Sequence, residues 1–399
     1  MTAPAPFGPQ PSARQLAWHR MEMYGFIHFT VNTFTGLQWG YGDEDPSIFN
    51  PRKLDARQWV RVARDAGLSG LILTAKHHDG FCLWPSAFTE HSVKNAPWKD
   101  GKGDVVQEFY EACQEYGLRM GIYLSPWDRN HAEYGREGYV NYYRQQLQEL
   151  LNRYPGELFE MWFDGANGGD GYYGGTRETR TIDRKHYYRM PELYDIVRDL
   201  QPDACIFSDA GPDIRWVGNE QGRASHTCWA RINPEGIYLG DVDQPQRLGC
   251  GEADGSCYRP AEVDVSLRPS WFFDPKEQAH SLDELLEIYF SSIGCGCGLN
   301  LNLPPNPDGL IADEDVQRLR EFRAALDALF AHDIAAGKPV TASNVRDNAP
   351  EFSANQLTDG DYHSYWATDD DVCEAALTVN FGQVQRVGTV RLEEYIELG

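Results

Sequence analysis

From Tyr24 to about Phe330, short apolar runs alternate with longer amphipathic stretches. Runs of strand length separated by stretches of helical period predict βα units around a parallel sheet. The predicted strands are Gly25–Phe29, Gly70–Ala75, Met120–Ser125, Leu158–Phe163, Cys205–Ser208, His226–Ala230, Val263–Leu267 and Leu299–Leu303. Predicted helices include Ala56–Ala66 and Val105–Tyr116. Asp55 and Asp104 open them, and Gly67 and Gly117 stop them. About eight such units predict an α/β fold, a closed (β/α)8-like TIM barrel, which takes about 250 residues or more. The Gly- and Tyr-rich stretch Asn167–Arg184 follows a strand end and reads as a long loop over the barrel mouth.

After a helix over Glu314–Phe330 the pattern changes to short alternating Val, Thr and Ser runs broken by Asn, Asp and Gly. This predicts a catalytic barrel over residues 1–335 and a β-sandwich-like domain over 336–399, joined near Ala335–Pro339. A β-sandwich usually takes about 100 residues. The second domain is therefore expected to be partial, with a last strand over Val390–Ile396.

Composition narrows the partners. The chain has 60 acidic and 36 basic residues and a formal net charge of −24, which disfavours nucleic acid and anionic membranes. No apolar stretch reaches the roughly 18 residues of a membrane span. Met1–Arg14 lacks the basic and apolar regions of a signal peptide, so none is expected, and the compartment is left open. Aromatic residues are 13% of the chain, a supply suited to stacking on sugar rings. The nine cysteines show no C-x-x-C pair and are expected to be mostly buried free thiols.

In a barrel the chemistry lies at the C-terminal ends of the strands. The first predicted strand ends in His28-Phe29 and leads to Asn32. The second leads into Lys76-His77-His78-Asp79-Gly80-Phe81, with Trp84 beyond. The third leads into Tyr123-Leu124-Ser125-Pro126-Trp127-Asp128, and the fourth into Trp162-Phe163-Asp164-Gly165. The fifth runs into Ser208-Asp209 and a loop holding Trp216 and Glu220. The seventh carries Glu262 and Asp264 and leads to Arg268 and Trp271. Carboxylates and imidazoles take hydroxyls and indoles take apolar ring faces, so the set suits a polyhydroxylated ring.

Asp164 is the strongest candidate, an acid where an apolar strand meets the active face. Its bland alternative is a turn cap before Gly165. Glycoside hydrolysis needs a second carboxyl group, and Glu220, Glu262, Asp209 and Asp264 all qualify; chemistry alone does not choose among them. His28, His77 and His78 invite a metal reading. Neighbouring histidines on an extended chain point to opposite sides, however, so one ion could not take both without a turn.

These motifs resemble glycoside hydrolase family 29, the α-L-fucosidases. The resemblance rests on Gly25-Phe26-Ile27-His28-Phe29, Lys76 to Phe81, Tyr123 to Asp128 and Trp162 to Gly165, in that order. Arg215-Trp216-Val217-Gly218-Asn219-Glu220 and Glu262 to Pro269 look like the subfamily that prefers α-1,3- or α-1,4-linked fucose in branched glycans. The resemblance implies Asp164 as nucleophile and Glu220 as general acid/base, with Glu262 as the alternative acid/base. It implies His28, Glu44, His77, His78, Trp84, Tyr123 and Trp271 as the fucose pocket, and Asp128, Glu262 and Asp264 as contacts to pocket or glycan. It further implies a retaining mechanism without cofactor or metal, and a C-terminal β-sandwich. Gly168–Thr181 reads as an insertion shaping the aglycone side. The rivals are another retaining glycosidase, a carbohydrate-binding barrel without catalysis, and a metal-dependent hydrolase.

Overall fold

The structure is a computed structural model and describes residues 3–240 and 243–399; Met1, Thr2, Asp241 and Val242 lie outside the described residues. By contact the chain falls into two compact units. One is Ser12–Arg323, and the other gathers Ala324–Gly399 with the N-terminal residues up to Pro11.

The larger unit is a closed barrel of eight parallel strands in sequential order. They are β1 (Met23–Ile27), β2 (Gly70–Lys76), β3 (Arg119–Leu124), β4 (Leu158–Trp162), β5 (Cys205–Ser208), β6 (Ile214–Trp216), β7 (Ala261–Ser266) and β8 (Gly298–Asn302). β8 pairs with β1 through Leu299 opposite Met23 and Asn300 opposite Tyr24, which closes the ring. The helices begin where the sequence signals them. Asp55 accepts from Arg57 N at the start of Ala56–Asp65. Asp104 accepts from Gln107 N at the start of Val105–Tyr116, which ends at Gly117 with φ 72°, a conformation glycine adopts without a Cβ clash.

The sixth strand departs from expectation. His226–Ala230 forms no strand, although its alternation of small and large residues imitates one. It runs irregularly and is pinned by Trp229 N to Cys250 O (2.8 Å) and by Arg215 Nη2 to Trp229 O (2.8 Å). The true sixth strand, Ile214–Trp216, follows β5 with no intervening helix. Parallel neighbours ordinarily need a crossover of a dozen or more residues. Here Ile214 lies beside Phe207, so the chain steps back only slightly and residues 209–213 suffice. Asp213 fixes the step: its backbone N donates to Ile206 O (3.2 Å), and its carboxylate accepts from Ile206 N (2.7 Å).

The barrel interior is largely aromatic, with Tyr24, Phe26, Tyr123, Trp162 and Phe207 all buried in one cluster. Trp18, on the helix Ala13–His19, closes its N-terminal end, packing where Gly298 leaves room at the start of β8. Two buried carboxyl groups lie among these rings. Trp18 Nε1 donates to Glu160 Oε2 (3.1 Å). Glu262 accepts from Trp162 Nε1 (2.7 Å), Asn300 Nδ2 (3.1 Å) and the Tyr24 hydroxyl.

The smaller unit contains one antiparallel ribbon, Val340–Ala342 with Leu377–Val379. Trp366 Nε1 donates to Asn344 O (3.0 Å), and Arg346 pairs with Asp370 (2.6 Å). The segment expected as a last strand forms no strand, with Val390 71% and Leu392 87% exposed. The nine cysteines are free: four are buried, four half-buried and Cys373 exposed, so fewer than expected are core residues.

Candidate active site

At the C-terminal ends of the strands lies a cavity of about 170 Å³. Its lining includes Phe26, His28, Trp39, His77, His78, Tyr123, Trp162, Asp164, Asp209, Trp216, Glu220, Asp264 and Trp271. Inward-pointing positions of β1, β3, β4, β6 and β7 supply Phe26, Tyr123, Trp162, Trp216 and Asp264; the loops above them supply most of the rest.

Asp164 follows β4 after a single residue. Its Oδ2 accepts from the Tyr123 hydroxyl (2.8 Å) and its Oδ1 from Ala166 N (2.7 Å). Burial raises its pKa, and these two donors oppose the rise. Gly165 makes this seating feasible, because a Cβ there would collide with Asp209 Oδ2 and Gly240 N.

Glu220 stands in the irregular segment after β6. Its Oε2 accepts from Trp271 Nε1 (3.0 Å). Facing the cavity solvent, it is nonetheless crowded enough that desolvation raises its pKa. The Trp271 bond opposes that rise, and the Asp164 charge adds to it. The carboxyls are thus unequal, Asp164 with two donors and Glu220 with one. When the two share a proton, it belongs on Glu220.

The three histidines have distinct hydrogen-bonding roles. Asn302 Nδ2 donates to Ser266 Oγ (2.8 Å) and Trp271 O (2.8 Å), which turns its Oδ1 toward His28 Nδ1 (2.9 Å). An amide oxygen only accepts, so His28 carries its proton on Nδ1 and Nε2 is an acceptor. Ser125 Oγ donates to Trp127 O (2.7 Å) and therefore accepts from His78 Nδ1 (2.7 Å), leaving His78 Nε2 bare at 3.6 Å from Asp164 Oδ2. Burial brings the pKa of both rings down to about 3, so both are neutral. His77 is the converse: Nδ1 is buried without a partner, which places the proton on Nε2, since a buried orphan N–H is the rarer defect. Two acceptors and one donor result, all at one end of the cavity.

His77 and His78 both reach the cavity, contrary to the alternation of an extended chain. β2 ends at Lys76, and a turn closed by Gly80 N to His77 O (3.0 Å) brings the two rings within 4.2 Å. Among the described residues, no group of three or more His, Cys, Asp or Glu is arranged to hold a metal ion.

Four of the expected residues are not among the lining. Trp84 is buried and donates to Glu149 Oε2 (2.9 Å), because the turn at Gly80 carries the chain away from the mouth. Asp128 is held by Lys76 Nζ (3.1 Å). Glu44 accepts from Tyr41 N (2.6 Å) and Gly42 N (2.8 Å), clamping its own loop. Glu262 belongs to the interior network described above. In turn the sequence reading passed over Trp39 and Gln38, whose signal is an aromatic residue in the loop Thr35–Glu44, and Asn302, whose signal is a polar residue at an inward position of an apolar strand.

The stretch Asn167–Arg184 is ordered by its own ribbon, Asp170–Gly171 against Glu178–Thr179. It is fastened to the loops after β1 and β3 by Tyr172 N to Tyr41 O (2.9 Å) and Arg129 to Asp170 (2.6 Å). Tyr173 stacks on Tyr134 at 5.3 Å.

The chain is similar to known proteins of one family. The family model for α-L-fucosidase matches residues 8–328. Alpha-L-fucosidase 1 of Arabidopsis thaliana is 41% identical over 398 residues, covering 99% of this chain and 76% of that protein. The crystal structure of a putative α-L-fucosidase from Bacteroides thetaiotaomicron is 41% identical, with a TM-score of 0.86 over 94% of this chain and 80% of that one. A glycoside hydrolase family 29 fucosidase of Ruminococcus gnavus, solved with fucose, is 30% identical, with a TM-score of 0.84 over 96% of this chain and 81% of that one. The chain belongs to the α-L-fucosidase family, glycoside hydrolase family 29.

Proposed function

We propose that this α-L-fucosidase is a retaining exo-enzyme that removes terminal α-1,3- or α-1,4-linked L-fucose from branched glycans, with Asp164 as nucleophile and Glu220 as general acid/base. The observation that carries the reading is the unequal support of two carboxyl groups facing one cavity. Asp164 attacks the anomeric carbon while protonated Glu220 gives its proton to the departing glycosidic oxygen, leaving fucose esterified to Asp164. Glu220, now a carboxylate, takes a proton from water as the water oxygen attacks the same carbon. The ester bond breaks, and both carboxyl groups return to their starting states with configuration retained.

His28 and His78 accept sugar hydroxyl protons, His77 donates to a hydroxyl oxygen, and Phe26, Trp162 and Trp271 take the apolar ring faces. Tyr123 orients the nucleophile and Asp264 joins the substrate-facing set. Walling by Phe26 and Trp162 on the interior side favours a terminal residue over an internal one. The fucose complex of the Ruminococcus gnavus relative supports the same sugar here. Glu262, saturated with donors and away from the cavity, is a poor acid/base by comparison.

The test is release of fucose, followed by NMR, from a branched α-1,3/1,4-fucosylated trisaccharide, a linear α-1,2-fucosylated one and an aryl α-L-fucoside. The branched sugar should be cut with the α-anomer appearing first. Cleavage of the aryl fucoside alone would remove the linkage preference. Asp164→Gly should abolish turnover, and Glu220→Ala should lose most on poor leaving groups and recover in part with azide. An active Asp164→Gly protein would sink the assignment.

A further inference from the structure

Outside the cavity, on the irregular segment that carries Glu220, lies a group of side chains that the hydrolytic chemistry does not use. Arg215 on β6 is fully buried, yet no carboxylate pairs with it at salt-bridge distance among the described residues. Its guanidinium donates instead to three backbone carbonyls, Leu248 O (2.9 Å), Trp229 O (2.8 Å) and Arg259 O, and to Cys228 Sγ (3.5 Å). A buried cation without an anion is costly. The hydrogen-bonded neighbour able to become an anion is the Cys228 sulfur, while Glu252 acts on Arg215 without a hydrogen bond. Cys297, just before β8, points its thiol at that same sulfur with an Sγ–Sγ distance of 3.4 Å.

We propose that Cys228 and Cys297 are a redox-active dithiol, in which Cys228 is the attacking thiolate and low-molecular-weight disulfides are the oxidant. Arg215 and the Cys297 S–H both stabilise negative charge on Cys228. The Cys297 bond is the larger influence, and together they overcome desolvation to bring the Cys228 pKa down to about 7. The other charged or ionisable groups bearing on the cluster are Glu252, through Arg215, and Cys295, through Cys297.

The step is a thiol–disulfide exchange. Cys228 S⁻ attacks one sulfur of oxidised glutathione, and one glutathione thiolate leaves. Cys297 gives its proton to that thiolate and attacks the Cys228 sulfur, expelling the second glutathione as a thiolate, which water or buffer protonates. The protein dithiol is oxidised by two electrons and the glutathione disulfide is reduced. The sulfurs need to approach from 3.4 Å to a bond of about 2.05 Å, a small movement for a half-buried residue on a segment without regular structure. The product ties the Glu220 segment to the start of β8 and removes the thiolate hydrogen-bonded to Arg215.

The test uses the full chain in its folded state. A brief pulse of limiting iodoacetamide at pH 7 should label the peptide of residues 224–231, which holds Cys228, ahead of the peptide holding exposed Cys373. Oxidised glutathione should give a Cys228–Cys297 crosslink without retained glutathione, and the crosslink should persist in Cys295→Ala. In Cys297→Ala the same treatment should leave a glutathione adduct on Cys228. Labelling of Cys373 first with Cys228 silent, a stable glutathione adduct in the unsubstituted protein, or a crosslink to Cys250 or Cys295 would each overturn the proposal. If Cys297→Ala does not fold, the pulse and the crosslink map on the unsubstituted and Cys295→Ala proteins still decide.

Discussion

Replacing Tyr123 by Phe removes one oxygen atom from the site. The ring stays, since it is fully buried and stacked on Trp162 (5.3 Å between centroids) and His77 (5.6 Å). Asp164 keeps the Ala166 N–H on Oδ1 but loses the donor on Oδ2, which has the unprotonated His78 Nε2 at 3.6 Å. A hydrogen bond to a charged group contributes about 1.5–3 kcal/mol. Asp164 retains 19% side-chain exposure, so water replaces part of the loss and the lower figure applies. At ~1.4 kcal/mol per unit, the Asp164 pKa should rise by about one unit. Burial has already raised it, and losing a donor to the charged form moves it the same way. In the proposed mechanism the ionised form attacks, so the acidic limb of kcat/KM should move about one unit to higher pH. The assay is the pH profile on an aryl α-L-fucoside beside a denaturation curve. An acidic limb that stays in place in a folded Tyr123→Phe protein would mean that Asp164 is not the titrating nucleophile, or that Tyr123 does not support its charge.

Four other substitutions, at Trp271, Lys76, Asp128 and Glu160, probe other groups. Trp271→Phe removes the single donor to Glu220, so the basic limb, which reports the protonated acid, should also move to higher pH, read from the same profiles. Lys76→Met leaves Asp128 buried and unpaired and should cost about 3–5 kcal/mol in a denaturant titration, while Lys76→Met with Asp128→Asn should recover part of the loss. Burial, with the neighbouring Glu262 second, holds the Glu160 pKa far above the ordinary range; its stabilising contribution is full below the unfolded value and is lost as pH rises toward the folded one. Glu160→Gln should therefore resist denaturation better than the unsubstituted protein at alkaline pH, with the difference shrinking near pH 4; a difference independent of pH would contradict this.

The barrel was legible because its strands are continuous apolar runs of parallel-sheet type, and because Asp55 and Asp104 cap helices as their side chains dictate. The sixth strand was hidden for a physical reason. Three residues beside the end of β5 need no helix to return them, so the alternation on which the reading depended has no helix at that point. The histidine pair shows a different limit: one-residue alternation holds only while the strand lasts, and β2 stops one residue too soon. Trp84, Asp128 and Glu44 stood at plausible distances along the chain, but Trp84 and Asp128 are held by partners far away in sequence, Glu149 and Lys76, and Glu44 turns back on the backbone of its own glycine-rich loop. Asn302 is an amide rather than a titratable group, yet it decides which nitrogen of His28 faces the cavity.

The absent side chain at Gly165 ties distant parts of the sequence to one another. The space a Cβ would need is filled by Asp209, from the end of β5, and by the backbone of Gly240, and these two are themselves hydrogen-bonded. Residue 165 is therefore not free to vary on its own account: a larger residue becomes tolerable only after 209 shrinks and the turn at 240 retreats. Substitutions at these three positions should be strongly non-additive, and a library that randomises the neighbourhood of Asp164 one position at a time would find 165 immutable for reasons unrelated to catalysis.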